Sequence, residues 1–126
     1  MNGPSLLDAP VSPLASDKEA LGANGFVGPV RLLTQQQAAF LGRHLLSAPE
    51  RRPVWEKSLA TIDPLTYETA VNPALLRLVR EFIGNDIVLW GASVVVRRPG
   101  ETHPWHCDIE SCAPEGGLVS VWIGLL

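Results

Sequence analysis

Apolar and polar positions along this chain follow two rhythms. Ala38, Leu41 and Leu45 recur at intervals of three and four, the spacing that puts them on one face of an α-helix. Thr34 stands just before this run as an N-cap and Gln37 completes a capping box, so a helix is predicted from there to Pro49, which ends it. A second helix is better marked. Asn72 is its N-cap and Pro73 its first residue, Leu75, Leu76, Val79, Phe82 and Ile83 form its buried stripe, and Gly84 is its left-handed stop.

Elsewhere the helical period disappears. Residues 87–96 are continuously apolar and rich in β-branched side chains, which predicts a central strand covered on both faces. Residues 118–126 predict a further strand, and residues 25–33 a short edge strand broken at Gly28-Pro29. Residues 50–71 carry Pro53, Trp55, Pro64 and Tyr67 without a clean period and are expected to be mostly loop, with one short helical turn. Residues 1–24 mix Pro, Ser, Ala and Gly and read as a flexible N-terminal arm; residues 25–126 read as the domain proper. The chain stops inside an apolar run, which suggests the front half of a longer protein.

Composition narrows the partners. With 126 residues, 46% of them hydrophobic, the chain has material for one core. A net charge of −3 gives no basic footprint for nucleic acid or an anionic membrane. No apolar run of about 18 residues suggests a span, so no membrane partner is expected. Two cysteines, Cys107 and Cys112, are too few for a disulfide framework, and the N-terminus has no leader pattern. The expected location is the reduced cytoplasm.

Candidate chemistry gathers after the Arg98-Pro99-Gly100 break, in His103-Pro104-Trp105-His106-Cys107-Asp108. In extended backbone, residues two apart project to one side, so His106 and Asp108 can meet the same metal ion. An imidazole and a carboxylate with one more histidine make the facial triad that holds Fe(II) and leaves positions open for O2 and a co-substrate.

These residues resemble the phytanoyl-CoA dioxygenase family of Fe(II)- and 2-oxoglutarate-dependent oxygenases. Three parts carry the resemblance over residues 25–126: Gly25-Phe26-Val27 leading to the Thr34 helix, Ile83 to Leu89 before a segment ending in Arg98-Pro99-Gly100, and the His106/Asp108 triplet followed by Trp122. It implies an α+β fold, a double-stranded β-helix (jelly roll) with outer helices, here its front half. It also implies a reaction in which O2 decarboxylates 2-oxoglutarate to succinate and a small-molecule C–H bond is hydroxylated. His106 and Asp108 would be metal ligands, and Trp122 and Val94 would contact 2-oxoglutarate. Asp108 favours hydroxylation over halogenation, because halogenating relatives carry a small residue there. The family's second iron-binding histidine and the basic residue that clamps 2-oxoglutarate fall downstream of Leu126.

Two other readings stand beside this one: a non-catalytic jelly-roll binding module, and a zinc-binding module built from His103, His106, Cys107 and Cys112. Arg97 and Arg98 read first as a solvated strand end, although a guanidinium can pair with an anionic co-substrate. His44 and Tyr67 read as ordinary surface or core residues.

Overall fold

Helices come one after another through the first two thirds of the chain: α1 (Asp17–Asn24), α2 (Gln35–Leu46), a single 3-10 turn at Leu59–Thr61, α3 (Pro64–Ala70) and α4 (Pro73–Ile83). The structure is a computed structural model and describes residues 17–47, 56–104, 106 and 117–125.

The helix starts have local causes. At α2, Thr34 Oγ1 accepts from the Gln37 amide (3.2 Å) while Gln37 Oε1 accepts from the Thr34 amide (2.8 Å), the reciprocal box expected from the sequence. Helices α3 and α4 begin with one device used twice. Asp63 Oδ1 accepts from the Thr66 amide (2.7 Å) ahead of Pro64, and Asn72 Oδ1 accepts from the Ala74 amide (2.9 Å) ahead of Pro73. Proline lacks an N–H, and the first helical position has no partner for one, so it fits there without loss. Helix α4 stops at Gly84, whose φ of +86° is open to glycine and strained for other residues.

The core brings together segments far apart in sequence. Leu32, just before α2, packs with Ala74 and Leu75 of α4, and Leu33, Val79 and Ile123 close around them. Burying each leucine contributes about 1.5–3 kcal/mol. The inner face of α4 differs in detail from the expected stripe. Ala74, Leu75 and Leu78 are buried, while Leu76, Val79, Phe82 and Ile83 are half-buried. Asn72 is fully buried at 0% exposure, so its cap lies inside the core.

A polar contact joins α2 to α3. His44 Nε2 lies 2.5 Å from Asp63 Oδ2, and the other oxygen of the same carboxylate caps α3. Burial pushes the Asp63 carboxyl up. The His44 hydrogen bond, followed by that from the Thr66 amide, outweighs burial and holds the group below its ordinary value of 3.8.

The expected jelly roll is not what the structure contains. Helix makes up 45% of the described residues, and no strand forms among them. Residues 25–33 form no edge strand; the Gly28–Pro29 peptide is cis, and the segment delivers Leu32 to the core. Residues 87–96, expected to be covered on both faces, lie largely open, with Val88 88% exposed. Among the described residues they form one parallel bridge, between Ser58 and Ala92, where the Ala92 amide donates to Lys57 O (2.7 Å) and the Leu59 amide to Ala92 O (3.2 Å). Gly91 permits that approach, since a Cβ there would sit 2.9 Å from Lys57 Cβ and Lys57 O. The described part of 118–126 is likewise without a strand. The reason is physical: β-branched, apolar sequence favours a strand only where a neighbouring segment satisfies its amides and carbonyls along its length, and among the described residues that pairing is the one bridge at Ala92.

Residues 50–71 hold more order than expected. The 3-10 turn and α3 both fall within them, α3 being seven residues long. Helix α1 falls within the expected arm, with Lys18 and Glu19 exposed.

Candidate functional site

A tight turn builds the site. Pro99 and Gly100 are the central residues of a four-residue reversal closed by the Glu101 amide donating to Arg98 O (3.0 Å). Gly100 has a φ of +88°, the value a type II turn requires at its third position, with proline preset at the second. The Glu101 carboxylate reinforces the reversal by accepting from the Arg98 amide (3.0 Å). The turn brings Arg97 back against His103, six residues later.

Arg97 is held at two points. Its Nη1 donates to Val96 O (2.9 Å) and its Nη2 reaches His103 Nδ1 (2.6 Å). A guanidinium has only donors, so His103 Nδ1 is the acceptor and the proton of the neutral ring is on Nε2. At His106 the logic is reversed. Nδ1 lies 2.9 Å from Pro104 O, and a carbonyl can only accept, so Nδ1 carries the proton and the lone pair of the neutral ring is on Nε2. The two histidines are therefore held in opposite tautomers.

Three rings converge here. His103 and His106 meet edge to face with centroids 4.6 Å apart, and His103 meets Trp122 in the same manner at 5.4 Å. His106 and Trp122 are 6.4 Å apart and tilted by 59°. Such separations fall in the range where aromatic pairs attract. All three side chains are exposed, Trp122 by 61%, so the cluster is open to a small molecule from solvent.

Of the residues expected to form the site, His106 and Trp122 are brought together. Asp108 lies outside the described residues, as do Trp105, Cys107 and Cys112. Val94 is exposed, three residues before Arg97. Among the described residues, no group of three His, Cys, Asp or Glu side chains is placed to hold a metal ion. His103 is engaged through Nδ1 by Arg97, so that nitrogen is not a zinc donor in this arrangement. Arg97, read with Arg98 from the sequence as a solvated strand end, is instead bonded to His103, a contact the sequence reading missed. Its signal was the Pro99-Gly100 turn, which sets the residues flanking it against each other.

Neither a family model, nor a curated protein, nor a solved structure matches this chain. Among the described residues no helix is long and apolar enough to cross a membrane.

Proposed function

We propose that this protein is an Fe(II)- and 2-oxoglutarate-dependent dioxygenase of the phytanoyl-CoA dioxygenase type, hydroxylating a small-molecule C–H bond with O2. The observation that carries the reading is the state of His106. Its Nδ1–H is committed to Pro104 O, which leaves the ring's lone pair on Nε2, as an imidazole metal ligand requires. Trp122, the residue assigned by resemblance to the 2-oxoglutarate site, stands 6.4 Å from the same ring.

The donor types suit ferrous ion: a neutral imidazole from His106 and a carboxylate from Asp108, with a second histidine required to complete the facial triad. The resemblance assigns that histidine to a position after Leu126. Bound iron and 2-oxoglutarate would supply the oxidising chemistry, and the chain's own residues bind and orient. His106 presents its nitrogen with a fixed tautomer, Asp108 adds the charge that favours a divalent cation, and Trp122 and Val94 give apolar walls to the co-substrate. The small acidic chain offers no electrostatic attraction to nucleic acid, and the reaction is assigned to the reduced cytoplasm, where Cys107 stays a thiol between the two ligands.

Anaerobic titration with Fe(II) and then 2-oxoglutarate tests the reading. The expected result is a visible metal-to-ligand charge-transfer band that His106→Ala abolishes. No band from a protein that also carries the completing histidine, or a band that survives His106→Ala, would overturn it.

A further inference from the structure

We infer that Arg97 and His103 form a positioning pair that sets how His106 and Trp122 face the ligand site. The inference deepens the dioxygenase reading and rests on it for its functional consequence, while its structural content stands on the Arg97–His103–ring geometry alone.

Arg97 is an anchored donor. One arm of its guanidinium is tied to the carbonyl of Val96, so the other arm has a set direction, and that arm ends 2.6 Å from His103 Nδ1. The bond fixes both the tautomer and the plane of His103. That ring then contacts two others, His106 at 4.6 Å and 79° and Trp122 at 5.4 Å and 65°. His103 is thus the common neighbour of the expected metal ligand and the expected co-substrate contact. On an exposed surface side chains rotate freely unless something holds them. Here the Pro104 carbonyl restrains His106 from one side and the His103 ring from another. The type II turn at Pro99-Gly100 maintains the arrangement, because it fixes the distance between Arg97 and His103.

The pair acts on the site through its contacts with His106 and Trp122. Neighbours that orient a metal-binding histidine typically change metal affinity by about 10–100-fold when removed. Loss of His103 is accordingly expected to weaken Fe(II) binding about tenfold, the low end, because Pro104 O still holds His106.

The test is 15N-resolved NMR of the histidine rings in the metal-free protein, with Arg97→Ala, Arg97→Lys and His103→Phe alongside it. The expected result is an Nε2–H tautomer for His103 and an Nδ1–H tautomer for His106. In Arg97→Ala, His103 should relax to a mixture and the Trp122 ring signals should shift. Arg97→Lys, which keeps a cationic donor but loses the planar fork that ties one arm to Val96 O, should restore part of the preference. His103→Phe, which keeps a ring against His106 and lacks the acceptor, should leave His106 as Nδ1–H yet make Trp122 insensitive to Arg97→Ala. An Nδ1–H tautomer on His103, or Trp122 signals unmoved by Arg97→Ala, would overturn the inference. The charge-transfer titration runs separately on the same proteins. If the rings behave as expected and no band forms in a protein that also carries the completing histidine, the dioxygenase reading fails and the positioning pair stands. If a band forms with the wrong tautomers, the reverse holds.

Discussion

Replacing Asp63 with alanine removes two bonds that one carboxylate makes in different directions. Oδ1 caps α3 through the Thr66 amide at 2.7 Å, and Oδ2 meets His44 Nε2 of α2 at 2.5 Å. Loss of an Asp N-cap costs about 1 kcal/mol, with a range of roughly 0.5–2. A hydrogen bond involving a charged group is worth about 1.5–3 kcal/mol in burial. The His44 side chain is 26% exposed and can turn to water once its partner is gone, so the appropriate figure is at or below the low end, about 1 kcal/mol. Asp63→Ala should therefore lose about 2 kcal/mol. Asp63→Asn keeps an equivalent cap and loses only the charge, so it should lose about half as much. Urea unfolding followed by circular dichroism reads both as shifts in midpoint at constant slope. A double-mutant cycle with His44→Ala isolates the interhelical contact and should return a coupling of about 0.5–1.5 kcal/mol. If Asp63→Ala stays within about 0.5 kcal/mol of wild type, or if the cycle returns zero, the carboxylate does not join α2 to α3.

Two further outcomes follow from the same geometry. Because the folded-state pKa of Asp63 is lowered from 3.8, its contribution is full above that value and is lost as pH falls through the folded-state value. Denaturant midpoints taken downward from neutral pH should drop more steeply below about pH 4 for wild type than for Asp63→Asn, and parallel curves would contradict this. Gly91→Ala would force a Cβ to within 2.9 Å of Lys57 Cβ and Lys57 O. It should cost about 1–3 kcal/mol and speed hydrogen exchange at the Ala92 amide, which now donates to Lys57 O; unchanged exchange would show that the approach is not tight.

What could be read in advance follows the range of the forces involved. Helices α2 and α4 were legible because cap and stripe lie within a dozen residues, Thr34 with Gln37 at the one and Asn72 with Pro73 at the other. Helix α3 carries the same start at Asp63-Pro64, but seven residues are too few to show a period, and the cap alone had to announce it. The strands misled because strand formation depends on a partner that the local sequence does not specify. The Val94-Val95-Val96 run has the right side chains, and all three lie exposed. At the site, the resemblance marked His106 and Trp122 as candidate residues. The tautomers of His103 and His106 were not legible, since they depend on which group, a guanidinium or a carbonyl, approaches each Nδ1.

Paramagnetic relaxation is the most direct test of a metal site at His106. With Mn(II) added in place of ferrous ion, the ring signals of His106 and of Trp122, 6.4 Å away, should be the first to broaden beyond detection at substoichiometric metal. His106→Ala should restore the Trp122 signals. Broadening spread evenly over the surface carboxylates, with His106 and Trp122 no more affected than the rest, would contradict the account.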